Sequence, residues 1–212
     1  MRFRFAALRR LVARPSMRPL LLVLLAVTLP APALAHQPGE VLGVWHGLWH
    51  PLAGSDHLLA MLAVGLWAGL RGGRYTWVLP LAFVTVMLGG MTLAALGVPL
   101  PGVEGGIAAS VLVLGVCVAL YVRLSPIASV AVVAVFALLH GYAHGSGLTP
   151  TGGSVAFALG AGVTTAALHA AGVWSVKGVY NWFNSHRVGQ WVLRAAGAGV
   201  ALAGGAMVGA TL

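Results

Sequence analysis

Long apolar runs, separated by short polar or turn-forming segments, make up most of the chain beyond about residue 45. Each run is close to the roughly 20 residues that an α-helix needs to cross about 30 Å of hydrocarbon. The runs predict six membrane spans, at roughly 47–70, 75–97, 103–122, 126–147, 153–176 and 190–211. Because the connections are short, consecutive helices should pack antiparallel. The predicted fold class is therefore an all-α, six-transmembrane-helix bundle.

The first 35 residues follow a different pattern, which is typical of a secretory signal peptide. An arginine-rich start is followed by an apolar run from Leu20 to Leu29 and then by Ala33-Leu34-Ala35. A basic region, a short apolar core and an A-x-A site are the features of a cleaved signal. We expect cleavage after Ala35, which leaves a six-span transmembrane domain over 36–212 with His36 at its start. An uncleaved first membrane helix is the alternative.

Composition agrees with a membrane protein and excludes an ordinary soluble domain. Hydrophobic residues make up 59% of the chain and charged residues only 7%, whereas soluble domains contain about 25% charged residues. The net charge of +9 could suggest nucleic-acid binding. However, six of the twelve basic residues precede residue 20 and belong to the predicted signal. The expected partner is therefore the lipid bilayer, and we expect no binding to nucleic acid.

The remaining basic residues predict an orientation. They concentrate in the first, third and fifth loops, at Arg71, Arg74, Arg123, Lys177 and Arg187. The second and fourth loops contain no Lys or Arg. Since basic loops stay in the cytoplasm, we predict a multi-pass protein of the bacterial inner membrane with both mature termini in the periplasm.

Ionisable residues in this apolar background indicate a functional site. His50, Asp56 and His57 lie in the predicted first span, and Asp56 is one of only three acidic residues in the chain. A charge at mid-bilayer costs about 2.5–3.5 kcal/mol on insertion scales, so such residues usually have a function. The predicted orientation brings these three to the outer side of the membrane, together with three residues of other spans: Glu104, His140 and His144.

Imidazole nitrogens combined with a carboxylate suit nickel, cobalt, copper or zinc better than calcium or magnesium. The spacing of His140 and His144 puts both on one helix face. Three further histidines are weaker candidates. His36 would follow the cleavage site, and His46 is either interfacial or part of a capture site. His169 either takes part in transfer of the ion or only satisfies a backbone carbonyl.

Two segments also resemble the signatures of a known family. HPLAGSDHLLAMLAVGLWAG, from His50, is similar to the first-span signature of the HupE/UreJ family, and HGYAHG, from His140, is similar to most of its fourth-span signature. The resemblance implies a secondary nickel (sometimes cobalt) permease, not an enzyme, that supplies hydrogenase or urease maturation. It implies no tightly bound cofactor, only a transported divalent ion. It also implies that His50, Asp56, His57, His140, His144 and Glu104 bind the metal.

The chain departs from the family pattern at Gly147, where the second signature normally has a glutamate. With one anionic ligand fewer, the site should favour later transition metals. Nickel is the first choice, with cobalt and copper as alternatives. An intramembrane zinc-dependent hydrolase using Ser55 or Ser146, a bis-histidine haem anchor and a structural scaffold are the rival functions.

The last predicted span contains small residues at four-residue intervals, Ala201, Gly205 and Gly209. Small residues at this spacing allow the backbones of two membrane helices to approach closely. They therefore predict a helix–helix contact on that face, and the sequence leaves a homo-oligomer open.

Overall fold

A computed structural model of the chain describes residues 43–146, 148, 152–183 and 185–211. The described residues form seven α-helices and no strand, which confirms the all-α class. The helices are α1 (Val44–Ala53), α2 (Ser55–Arg71), α3 (Tyr75–Ala95), α4 (Val103–Ala119), α5 (Pro126–Gly145), α6 (Gly152–Phe183) and α7 (His186–Thr211). The predicted signal peptide over 1–35, His36 and Gly147 lie outside the described residues.

The predicted first span is divided into two helices. α1 and α2 meet at Gly54 with a bend of 85°, because Gly54 is extended (φ −95°, ψ 123°) and its backbone does not continue the helix. Pro51, in the last turn of α1, lacks the N–H that a continuous helix would need. The apolar run predicted over 47–70 thus forms two helices, and the bend lies between His50 and Asp56.

Four described helices are long and apolar enough to cross a membrane, or five spans result if the bent pair α1–α2 is counted as one. The remaining apolar helix, α4, has only 17 residues, which corresponds to about 26 Å at the helical rise of 1.5 Å per residue. In contrast, α6 has 32 residues and continues to Phe183, well beyond the predicted end at residue 176.

Glycines allow the helices to cross at close range. A Cβ added at Gly65 of α2 would overlap the carbonyl oxygen of His169 on α6, and one added at Gly141 of α5 would overlap the carbonyl oxygen of Met87 on α3. Comparable glycines are found where α1 crosses α6 and where α4 crosses α7. Because lipid supplies little hydrophobic driving force between helices, such close backbone packing contributes much of their association.

The small residues of α7 make their contact on a different face from the predicted one. Gly197, Ala201 and Gly204 lie against α4, whereas a Cβ at Gly205 or Gly209 would meet nothing within 4 Å. Within the described chain, Ala201 therefore makes a close helix contact and the two later glycines do not. Each step of four residues rotates by about 40° around a helix with 3.6 residues per turn, so residues at this spacing turn progressively away from α4.

The outer surface is apolar while the interior holds polar side chains. Several of the largest hydrophobic residues are more than half exposed, among them Trp45, Trp77, Ile127, Trp174 and Leu202. In contrast, His140, His144 and His169 are at most 3% exposed. A surface of this kind suits lipid, and it makes the buried imidazoles the unusual feature of the interior.

The predicted basic loops meet at one end of the bundle, here called the basic end, defined by Arg71, Tyr121 and Tyr180. The Arg71 guanidinium donates to the carbonyl oxygen of Leu124 at 2.8 Å. The hydroxyl groups of Tyr121 and Tyr180 are 3.0 Å apart. These contacts join the first loop to the third, and the third loop to the end of α6, as expected for loops on the same side of a membrane.

Candidate metal-binding site

Four histidines from three helices pack ring against ring at the opposite end of the bundle. We call His50 of α1, His57 of α2, and His140 and His144 of α5 the histidine cluster. The centroid of the His57 ring is 4.5 Å from that of His144 and 4.9 Å from that of His140. The centroid of the His50 ring is 4.7 Å from that of His144. The structure thus brings together histidines that are nearly 100 residues apart in sequence.

The local structure explains how the rings meet. His140 and His144 are one turn apart on the buried face of α5, as expected for an i, i+4 pair. The bend at Gly54 separates His50, near the end of α1, from His57, in the first turn of α2. Both rings consequently reach α5 from adjacent helices.

Asp56 holds the ring of His57 in position. One carboxylate oxygen accepts a hydrogen bond from the backbone N–H of His57 at 2.7 Å and lies 2.8 Å from Nδ1 of the same residue. With Nδ1–H donating to Asp56, the Nε2 lone pair of His57 remains as an acceptor. A carboxylate that fixes the tautomer in this way is the usual neighbour of a metal-binding histidine.

The ring nitrogens of the interior lack hydrogen-bond partners. Six buried nitrogens are unpartnered in the part of the chain that the structure describes: His57 Nε2, His140 Nε2, and both ring nitrogens of His144 and His169. No other buried side-chain nitrogen or oxygen in these ranges is unpartnered. Leaving such a group unsatisfied costs about 1–3 kcal/mol. Four imidazoles with unpartnered nitrogens therefore lower the stability of the fold, and their presence needs a reason other than folding.

A cavity of about 480 Å³ opens next to the cluster and contains the carboxylates. Its lining includes His50, Ser55, Asp56, His57 and Glu104. Glu104 is exposed in the first turn of α4, so two of the three acidic residues of the chain face this one cavity. The predicted association of Glu104 with the first-span motif is therefore observed.

The cluster is not a closed coordination site. Within the described ranges, no group of three or more His, Cys, Asp or Glu side chains is positioned to hold a metal ion. Rings such as His57 and His140 pack edge to face, with 78° between their planes, and their nitrogens do not converge on one point. The arrangement offers separate donors, and side-chain rotation is needed for several of them to bind one ion.

His169 lies outside the cluster, near the middle of α6, and its side chain is buried. The centroid of its ring is 5.0 Å from that of Phe83, and the centroid of Phe83 is 5.7 Å from that of His140. The alternative in which His169 satisfies a backbone carbonyl is wrong, because neither of its ring nitrogens has a partner. In contrast, His140 Nδ1 does donate to a carbonyl oxygen, that of Phe136, at 2.9 Å.

Three other positions complete the comparison with the sequence. His46 is exposed on α1 and is not among the residues that line the cavity. Phe83, which contacts both His140 and His169, could not be recognised from sequence because it lies in a uniformly apolar helix. Gly54 also belongs to the surroundings of the site, because a Cβ there would lie 2.7 Å from the Asp56 carboxylate.

Known proteins resemble this chain over most of its length. The family model described as HupE / UreJ protein matches residues 23–207. Protein HupE of Rhizobium leguminosarum bv. viciae is 41% identical over 186 residues, which cover 87% of this chain and 94% of that protein. No solved structure matches the chain.

Proposed function

The chain belongs to the HupE/UreJ family, and on that premise we propose that it is a secondary permease that takes up a divalent metal ion through the histidine cluster. Proteins of this family are accessory membrane proteins associated with nickel and cobalt uptake for hydrogenase or urease, and they are not enzymes. The intramembrane zinc hydrolase considered from sequence is accordingly set aside.

The observation that carries the proposal is the set of unpartnered ring nitrogens beside a cavity with two carboxylates. Neutral imidazole nitrogens bind divalent transition metals of the nickel, copper and zinc group. A transport site must also release its ion, and an open set of donors meets this need better than a rigid tetrahedral centre. Separate donors can bind a passing ion in turn.

We propose the following sequence of contacts for the transported ion. Glu104 and Asp56 attract the hydrated cation into the cavity, where their negative charges offset part of the cost of losing water. His57, held by Asp56, and His144 then replace water molecules of the ion. His140 is the deepest donor of the cluster, and the ion leaves the cavity through it.

We base the choice of metal on the donor set and on the family. Nickel is our first choice because the family is associated with nickel and cobalt uptake. Gly147 replaces a glutamate of the family signature, which leaves a site rich in nitrogen and poorer in charge. Such a site favours later transition metals such as copper, and the family is also associated with cobalt, so copper and cobalt are the alternatives to be tested in competition.

We further propose six membrane spans, with α1–α2 as one broken span and the 17-residue α4 as a short one. Broken helices occur at membrane depth where they line a cavity, and the bend at Gly54 lies beside one. In this topology the basic end is cytoplasmic, the cavity opens to the periplasm, and residues 1–35 are a cleaved signal.

Uptake of radioactive nickel by cells that produce the protein tests the proposal. We expect Asp56→Asn, which keeps the shape and removes the charge, and His144→Gln, which removes the imidazole, each to lower uptake about tenfold or more, equivalent to about 1.4 kcal/mol. His186→Gln is the matched control, because His186 is an exposed histidine at the basic end.

Wild-type uptake in both the Asp56 and the His144 variants would contradict the proposed site. Competition by unlabelled nickel, cobalt, copper and zinc in the wild-type protein identifies the preferred metal. Each rate is normalised to the amount of protein in the membrane, so that poor insertion of a variant is not mistaken for slow transport.

A further inference from the structure

His169 is the one imidazole outside the histidine cluster, among the described residues, that is buried without a hydrogen-bond partner. It is fully buried on α6, and both of its ring nitrogens lack a partner. Two other residues of α6 give the position of His169 along the bundle. Thr164 donates to the carbonyl oxygen of Leu48 on α1, and Tyr180 belongs to the basic end. At a rise of 1.5 Å per residue, His169 is about 7.5 Å from Thr164 and about 16 Å from Tyr180 along the helix.

None of the described residues around His169 forms a hydrogen bond with its ring. The ring packs edge to face on Phe83, with 77° between the two planes. Thr165, one turn earlier, donates instead to the sulfur of Met87 at 3.7 Å. A histidine that served only to fill space could be replaced by an apolar residue without loss, since removing an unpaired polar group is neutral or stabilising.

His169 and His140 both pack against the ring of Phe83. The ring centroid of Phe83 is 5.7 Å from that of His140 and 5.0 Å from that of His169. Both histidines are fully buried, and each has at least one ring nitrogen without a partner. Phe83 therefore connects an unpartnered nitrogen donor of the cluster to a second unpartnered imidazole on α6.

We propose that His169 is a second, single-imidazole binding position for the transported ion, which receives it from His140 on the way to the basic end. This inference rests on the proposed function and adds to it an inner site on α6. The ion is a divalent cation of the class that the histidine cluster binds, and it reaches His169 past the edge of Phe83. A single donor binds weakly, as a position of release requires.

Two variants separate a donor role from a packing role. His169→Phe keeps an aromatic ring against Phe83 and removes both nitrogens, whereas His169→Leu removes the ring as well. We expect both to lower the maximal rate of nickel uptake about tenfold or more and to leave the half-saturating nickel concentration unchanged, because the outer cluster still captures the ion. His144→Leu should instead raise the half-saturating concentration.

Thr165→Val is the matched control, since it removes a buried polar group one turn away on the same helix and leaves His169 intact. We expect its uptake to equal that of the wild-type protein. We also expect both His169 variants in detergent to unfold at or above the wild-type temperature, because each loses an unpaired buried group. A normal or raised unfolding temperature combined with slow uptake supports a donor role.

Wild-type uptake by His169→Phe overturns the inference, because the ring alone would then suffice. An equal loss of uptake in Thr165→Val overturns it as well, because the effect would be one of packing. These failures are distinct from failure of the proposed function. If the wild-type protein takes up no metal, the permease proposal fails; if it does and His169→Phe matches it, only the inner site fails.

Discussion

At the scale of single residues, the site depends on small groups as much as on its donors. Asp56 orients His57 through two contacts of 2.7 and 2.8 Å. This geometry exists because Gly54 has no side chain to displace the carboxylate. The sequence identified Asp56 by its rarity, but the requirement for glycine two residues earlier is visible only once the chain bends.

Gly54→Ala tests this requirement. The added Cβ would lie 2.7 Å from Asp56 Oδ1 and 3.1 Å from His57 Nδ1. The carboxylate is the end of a flexible side chain, so it can move aside at little cost in stability. We therefore expect an unfolding temperature close to that of the wild type, and nickel uptake lowered by about three- to tenfold, a barrier increase of about 0.7–1.4 kcal/mol.

Gly43→Ala is the control for Gly54→Ala, because Gly43 flanks α1 at its N-terminal end and none of the described residues lies within 4 Å of its Cβ position. Wild-type uptake by Gly54→Ala would mean that the observed position of the Asp56 carboxylate is unimportant for transport.

At the scale of helices, the residue ranges of the apolar helices were easier to predict than the faces by which the helices contact one another. Apolar runs predicted α3 and α5 closely, since hydrocarbon thickness sets the length of a spanning helix. The bend between α1 and α2 and the face by which α7 contacts α4 are visible only in the structure. Both depend on which neighbour a helix meets, and helices that are apolar all round carry little pattern to indicate it.

Gly89 and Gly90 of α3 provide a matched test of helix packing. A Cβ at Gly90 would overlap the carbonyl oxygen of Leu138 on α5, whereas one at Gly89 would meet nothing within 4 Å. We expect Gly90→Ala to lower the free energy of unfolding in detergent by about 1–3 kcal/mol, as overpacking does. Gly89→Ala should change it by less than about 0.5 kcal/mol.

The same pair also bears on the site, because α5 carries His140 and His144. We expect Gly90→Ala to reduce nickel uptake per folded molecule as well, since α5 must move away from α3. Equal stability and equal uptake of the two alanine variants would show that the close crossing of α3 and α5 is not required.

At the scale of the whole molecule, polar groups are divided between two ends. The carboxylates and the histidine cluster lie at one end, and Arg71, Tyr121 and Tyr180 at the other. This division agrees with the loop charges that predicted the orientation. The side of the membrane on which each end lies is a proposal, and uptake in the stated direction depends on it.

Cysteine labelling determines this orientation, and the chain has a suitable background because its one cysteine, Cys117, is buried. We expect a membrane-impermeant maleimide to label Val98→Cys in intact spheroplasts, and to label Arg123→Cys only after lysis. Both positions are exposed in loops between helices. Labelling of Arg123→Cys before lysis would reverse the topology and contradict uptake through an outward-facing cavity.

The sequence by itself determined the class of the protein, the approximate spans and the residues of the histidine cluster. It could do so because a bilayer requires long apolar helices and makes buried ionisable residues costly, so that each one is informative. The rarity of acidic residues similarly directed attention to Asp56 and Glu104.

Only the tertiary structure decided how these residues act together. Whether a buried imidazole has a hydrogen-bond partner depends on its side-chain rotamer and on the helices around it, and the distances between those helices depend on glycine contacts such as those of Gly65 and Gly141. The sequence therefore could not distinguish His140, which donates to a backbone carbonyl, from His169, which has no partner. Residue types indicate which chemistry is available, whereas packing determines which donors remain free for an ion.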